Sequence, residues 1–220
     1  MQIFDILGPV MIGPSSSHTA GIVRIGNIAR GILGHTPSHA RIQFHGSLAK
    51  TYRGHGSDRA IVAGLLGFAT DDMRIRDSLE LSGDMGLSYE IETTTIEEAT
   101  LHPNTVLLFL ESLTLQAASV GGGNILVQKI NDIDVLFSGY YDTLIILHKD
   151  TPGAVAQVTN VLGMQKINIA EMKMYRAKKG GRAIMVIEVD GSICTDISGA
   201  IEKLAPIEQV TLIAGLGTGG

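Results

Sequence analysis

One cysteine, no tryptophan and an aromatic content of 5% stand in a chain of 220 residues. The single thiol, Cys194, cannot build a disulfide framework or a thiolate-ligated zinc or iron–sulfur site within this chain. An excess of basic residues is missing too: 17 Lys and Arg against 22 Asp and Glu leave a net charge of −5. Such a surface offers phosphate backbones no general attraction. The basic residues Lys173, Arg176, Lys178, Lys179 and Arg182 therefore read as a solvated sheet edge. No apolar run reaches the ~20 residues of a membrane span. The first one, Ile6 to Ile12, is broken by Gly8 and Pro9, follows Asp5 and lacks a secretory cleavage pattern. These absences set an expectation of a soluble cytoplasmic protein with no nucleic-acid and no membrane partner. With 45% hydrophobic and 18% charged residues, the chain can fill one large core or two small ones.

Periodicity divides the chain into two styles. From Thr19 to Leu33, Ile22, Val23, Ile25, Ile28, Ala29 and Ile32 recur at three- and four-residue steps, which predicts a helix capped by the preceding serines and ended by Gly34. An alternating run Ala40 to His45 follows, then a polar loop, then a helix from about Asp58 to Phe68 with Ser57 as N-cap. Strands are expected at Leu87 to Thr94, Val106 to Glu111, Leu113 to Ser119, Ile125 to Lys129 and Asp134 to Ser138, the last four in hairpins. Residues 1–139 thus read as an α+β domain with helices early and an antiparallel sheet late. A second domain, 142–220, reads as strand Thr143 to His148, helix Ala154 to Met164, strands Ile169 to Arg176 and Arg182 to Val189, helix Asp196 to Ala205 and strand Ile207 to Ala214. That order, βαββαβ, is the ferredoxin-like plan.

Chemistry concentrates in two loops. Gly13-Pro-Ser-Ser-Ser-His-Thr-Ala-Gly21 sits at a helix start, where free N–H groups and the positive end of the helix dipole favour an anion. Ser15, Ser16, Ser17 and Thr19 add hydroxyl donors, and His18 can exchange a proton near neutral pH. The same residues also make a serine-rich cap beside an exposed histidine. The stretch from His45 to Arg59 lies between a strand end and a helix start, the kind of junction where binding residues gather. There Gly54 and Gly56 let the backbone around His55 approach a ligand, and Asp58 stands by, either as a polar group of the site or as a partner of the helix dipole. A solvated connector explains this stretch equally well. His102-Pro-Asn-Thr105 and Ser119-Val-Gly-Gly-Gly-Asn124 read as turns.

The segment His148-Lys-Asp-Thr-Pro-Gly153, followed after one helix by Ile167-Asn-Ile169, resembles an ACT domain, a small ligand-sensing module of amino-acid metabolism. The likeness covers about Asp142 to Ala214. It implies an amino-acid effector held between paired modules, hence self-association, with His148, Asp150, Gly153 and Asn168 at effector positions. Asp150 departs from the serine-sensing version of the module, which typically presents Asn, and its charge would repel a carboxylate.

Together, the Ser-Ser-Ser-His-Thr motif, His45-Gly-Ser-Leu48, Gly54-His-Gly-Ser-Asp58, the triplet at Gly121 and the ACT-like end resemble the beta subunits of bacterial iron–sulfur-dependent L-serine dehydratases over essentially the whole chain. The resemblance implies conversion of L-serine to pyruvate and ammonia. It implies a [4Fe-4S] cluster ligated by a partner alpha subunit, with no metal ligand in this chain, and an N-terminal domain similar to the allosteric substrate-binding domain of phosphoglycerate dehydrogenases. Under it, His18 is the base, Ser15, Ser16, Ser17 and Thr19 hold the substrate carboxylate, and His55 and Asp58 lend polar support. A regulatory serine-binding pocket uses the same residues without catalysis. A pyridoxal phosphate enzyme would need a Schiff-base lysine and phosphate loop that do not surround Lys50. A free-standing amino-acid sensor would bind through the ACT-like loop alone.

Overall fold

The computed structural model describes residues 13, 15–94, 101–193 and 195–215, without the side chains of Ser16 and Thr195. Cys194 lies outside them. The chain divides into two compact units after Asn131.

The first unit begins with a π-helical turn, Ser16–Ala20, that runs directly into α1, Gly21–Leu33. The α1 stripe read from the sequence is its buried face: Ile22, Val23, Ile25 and Ala29 are fully buried. Gly34 ends the helix in the left-handed region at φ +89°, its N–H bonding the carbonyl of Arg30. Strand β1, His39–Phe44, alternates exposed and buried positions and leads to a short helix α2, Gly46–Thr51, and then to α3, Ser57–Leu65. A 3-10 turn, Met73–Asp77, and helix α4, Ser78–Asp84, complete a crossover to β2, Ser88–Thr93. Strands β3, Thr105–Phe109, β4, Thr114–Gly121, and β5, Asn124–Ile130, follow. Within the unit the strand order is β2-β1-β3-β4-β5.

Three expectations are corrected here. The region between β1 and β2 holds α2, the 3-10 turn and α4, none of which the apolar period revealed, because each is shorter than two full turns. Strand β2 pairs with β1 in parallel, His39 opposite Ser88 through Phe44 opposite Thr93, so the sheet is mixed rather than antiparallel. Those helices supply the crossover that a parallel pair requires. Ser57 is the first residue of α3 and not its cap: Gly56 holds that position at φ +69° and makes no side-chain capping bond.

The contact that fixes this unit is between α1 and α3. A Cβ at Gly26 would stand 2.8 Å from the Cα of Gly64 and 2.7 Å from the carbonyl oxygen of Ile61, and a Cβ at Gly64 would run into the carbonyl of Val23. The helices therefore meet backbone to backbone, closer than side chains at these positions allow.

The second unit has the expected βαββαβ order: β7, Asp142–Lys149, α5, Ala154–Met164, β8, Ile169–Arg176, β9, Arg182–Val189, α6, Thr195–Glu202, and β10, Ile207–Ile213. Its sheet order is β10-β7-β9-β8. Leu144, Ile146, Met185 and Ile187 from the sheet pack with Val158, Leu162, Ile197 and Ile201 from the helices as one core. The buried carboxylate of Asp142 accepts from the N–H groups of Ile193 and Gly215, both at 2.9 Å or less. Strand β6, Ile133–Phe137, precedes this module and rests on β8, where the Tyr175 hydroxyl both accepts from the N–H and donates to the carbonyl of Leu136.

Because a backbone carbonyl cannot step aside as a side chain can, Gly64→Ala is expected to cost on the order of 3 kcal/mol, the upper range of core overpacking. Gly83→Ala, at a helix position where a Cβ meets nothing within 4 Å, is the matched control and is expected to be neutral or stabilising. Urea midpoints of the two variants against the parent check this.

Candidate functional site

The two loops singled out in the sequence are brought together at the starts of α1 and α3. The Ser15 hydroxyl accepts from the N–H of His18 at 3.3 Å, and the Ser15 carbonyl accepts from the N–H of Thr19 at 2.9 Å, tying Ser15 to the π-turn. The hydroxyls of Ser15 and Ser17 lie 3.1 and 3.2 Å from Nδ1 of His18 and 3.2 Å from one another. His18 is thus held at one ring nitrogen by two hydroxyls. Its ring faces that of His55 with centroids 4.8 Å apart and planes tilted by 38°. Burial, then the nearby charge of His55, holds the proton affinity of His18 below that of an ordinary imidazole.

Gly13 packs against Thr19 so closely that a Cβ on it would lie 2.5 Å from Cγ2 and Oγ1 of the threonine, at a φ of +140°. Thr19 is 2% exposed and its hydroxyl has no hydrogen-bond partner among the described residues. The same is true of His55 Nδ1, His45 Nδ1 and Ser119 Oγ, all in segments bordering the π-turn or the loops that follow β1. Buried polar atoms in folded proteins are nearly always paired, so several orphans in one neighbourhood make it a candidate ligand site. The Ser16 side chain lies outside the described residues. Asp58 does not join the imidazole pair: its carboxylate accepts from the N–H of Arg59 at 2.8 Å on its own helix.

Sequence reasoning missed two contributors. Ser57, fully buried, donates from its hydroxyl to the His18 carbonyl at 2.9 Å. Ser119, at the end of β4, is packed against Gly21 where any side chain on the glycine would collide with its hydroxyl. The adjoining turn, Gly121, Gly122 and Gly123 all at positive φ, brings the Gly123 carbonyl to 3.0 Å from the buried guanidinium of Arg24. Burial pushes that guanidinium down to about 10. A serine in a turn motif carries no sequence signal that would separate these roles from ordinary turn chemistry.

In the second unit, His148 is 1% exposed, with Nδ1 2.9 Å from the Lys149 carbonyl and Nε2 buried without a partner among the described residues. Gly153 stands before α5 at φ +87°. Asp150 turns toward the β8–β9 turn, accepting from Gly180 N–H at 2.9 Å and Arg176 at 3.0 Å. The Gly180 bond and then Arg176 keep its carboxyl below the usual range. Its charge is therefore already compensated, which removes much of the repulsion that a carboxylate ligand would meet. Asn168 donates one amide N–H to the Asp190 carboxylate at 2.5 Å, which leaves its second N–H and its oxygen for other partners. Among the described residues, no three His, Cys, Asp or Glu side chains are grouped to hold a metal ion, and no helix is long and apolar enough to cross a membrane. With one cysteine in the chain, the donor set does not fit an iron–sulfur cluster.

Comparison with known proteins bears on this arrangement. The family model described as serine dehydratase beta chain matches residues 2–129, more than half of the chain. The chain belongs to this family. An ACT domain model matches residues 143–205 of the same beta chain. It is 42% identical over 218 residues to a probable L-serine dehydratase beta chain of Bacillus subtilis, covering 97% of this chain and 98% of that one. With the L-serine dehydratase beta chain of Peptoniphilus asaccharolyticus it shares 36% identity over 203 residues, 90% of this chain and 91% of that one. The expected kinship with phosphoglycerate dehydrogenases is present: the enzyme of Methanocaldococcus jannaschii is 24% identical over 193 residues, 86% of this chain and 36% of that one.

A histidine that resists protonation in the fold makes stability pH-dependent. Above the ordinary imidazole value of 6.5 both states carry a neutral ring and the effect vanishes. As pH falls below it, the unfolded chain takes up the proton first, so stability is lost progressively down through the lowered folded value. Urea midpoints between pH 7.5 and 5 are expected to fall less steeply in His18→Gln than in the parent; equal slopes would assign the acid sensitivity elsewhere.

Proposed function

We propose that this beta chain supplies the proton-transfer and carboxylate-binding half of an L-serine ammonia-lyase site that is completed by an alpha subunit. The observation that carries the reading is the serine-anchored imidazole pair of His18 and His55 at two helix starts. When Nδ1–H of His18 donates to the hydroxyls of Ser15 and Ser17, Nε2 keeps a free lone pair for the α-proton of serine. Those hydroxyls, having accepted from the ring, use one proton in the bond between them and keep the other to donate to the substrate carboxylate, together with Ser16 and Thr19. The positive ends of α1 and α3 favour that carboxylate. The depressed proton affinity of His18 keeps it unprotonated at neutral pH, as a base must be. His55 holds the ring in place from the other face, and Asp58 contributes negative charge at the start of α3 without touching either imidazole. The α-proton and the β-hydroxyl leave as water, and addition of water then releases ammonia and pyruvate. The [4Fe-4S] cluster belongs in this reading to the alpha subunit, and no step here passes through it.

The ACT domain is proposed to sense an amino acid at His148, Asp150, Gly153 and Asn168 and to pair with a second copy, in a cytoplasmic enzyme. Nε2 of His148, buried without a partner among the described residues, supports this. The likeness to phosphoglycerate dehydrogenase favours one other reading, in which the His18 pocket binds serine without catalysis.

Anaerobic assays of serine-dependent pyruvate formation with this chain, with the alpha subunit and with both together test the proposal. Activity is expected only in the mixture, and His18→Asn in the mixture is expected to lower kcat by 10²–10⁴-fold, the usual contribution of a general base. Full activity from the alpha subunit alone would leave the pocket as a regulatory site.

A further inference from the structure

We infer that Ser57 is a positioning residue whose hydroxyl, by holding the His18 carbonyl, sets the spacing between the His18 and His55 rings. The bond joins the first residue of α3 to the middle of the π-turn, two segments 39 residues apart in the chain. Its donor is buried, Ser57 standing at 0% exposure. His55 lies two residues before Ser57, so one hydrogen bond fixes the backbones of both imidazole-bearing residues to each other. Nothing in α3 itself requires this hydroxyl. The helix is started by Gly56 in the left-handed region, and the Ser57 N–H bonds the Tyr52 carbonyl at 2.8 Å. The far side of the π-turn is closed by Ser119 against Gly21, so the turn is gripped from two directions but hydrogen-bonded to α3 through Ser57.

A π-turn is wider than an α-turn, and this one is continued by a helix only on its α1 side. Without the Ser57 bond the His18 carbonyl loses its tie to α3, and the turn is expected to rotate toward water, where that oxygen finds another donor. That rotation carries the His18 ring away from His55 and into solvent, removing both causes of its weak basicity.

The inference rests on the reading of His18 as a base only for its kinetic consequence; the titration of the ring tests it without activity. In the full chain, the NMR titration midpoint of His18 is expected to move up, toward ordinary imidazole, in Ser57→Ala, with loss of ring-to-ring cross-peaks between His18 and His55. Ser57→Thr, which keeps the hydroxyl, is expected to restore both. Ser78→Ala is the matched control. Ser78 is also fully buried and donates to a backbone carbonyl, that of Arg59, at 2.8 Å, so a general loss of packing would show there too. In the assembled enzyme, Ser57→Ala is expected to lower kcat/KM about tenfold to a hundredfold, with its acid limb moved up in pH, while Ser78→Ala leaves the limb in place. An unmoved His18 midpoint in Ser57→Ala, or an equal movement in Ser78→Ala, overturns the inference. If Ser57→Ala does not fold, Ser57→Cys, of similar volume and a weaker donor, is read against Ser57→Thr by the same criteria. A shifted midpoint with unchanged turnover would keep the positioning role and sink the base assignment instead.

Discussion

The rest of the N-terminal unit depends on one contact, the crossing of α1 and α3 at Gly26 and Gly64. Each helix carries a histidine near its start, and Ser15 and Ser17 anchor the His18 ring only within its own turn. The position of one imidazole relative to the other comes from the helices. Their approach, tighter than any pair of residues with side chains would permit, is what allows a turn before one helix to be bonded by the first residue of the other. Apolar burial along α1, from Ile22 to Ala29, provides the driving force, and the glycines convert that force into a particular separation.

This arrangement explains why the site is polar yet poorly satisfied. Hydroxyls and ring nitrogens are brought to a shared position by forces acting a helical turn or two away, so they need not be paired with each other to be held. The orphaned atoms of Thr19, His45, His55 and Ser119 are tolerated because the packing behind them is strong. The ACT module is organised differently. There the loop that would meet an effector is partly compensated from within, Asp150 by Arg176 and Gly180 and one Asn168 N–H by Asp190, while Nε2 of His148 has no partner among the described residues.

Much of this was legible in the residues. The α1 stripe, the strands from β3 onward and the whole βαββαβ order follow from periods of 3.6 and 2 that long elements repeat often enough to be seen. The short elements between β1 and β2 were not legible, since α2 and α4 span one or two turns and offer no period to count. The parallel pairing of β2 was nonetheless open to inference, since the helix read at Asp58 to Phe68 already lies in the connection that a parallel pair requires. At the site, Ser15 to Thr19 and His55 stand out by chemistry. Ser57 read as an ordinary cap because Ser before a helix is the commonest capping pattern, and only three dimensions reveal that its hydroxyl points to a different helix. The tie between Asp150 and the β8–β9 turn joins residues about 30 positions apart, a distance over which charge pairing cannot be read from order.

The carboxylate of Asp142 has a wider consequence. It sits where the chain enters the ACT module and bonds Gly215, where the last strand has just ended, while β7 and β10 lie side by side in the sheet. The two ends of the module are thereby clasped at one point by one side chain. A fold closed in this way can be spliced into another polypeptide through two adjacent strands without disturbing its interior. It is built as a cassette, and the acid at position 142 is its latch.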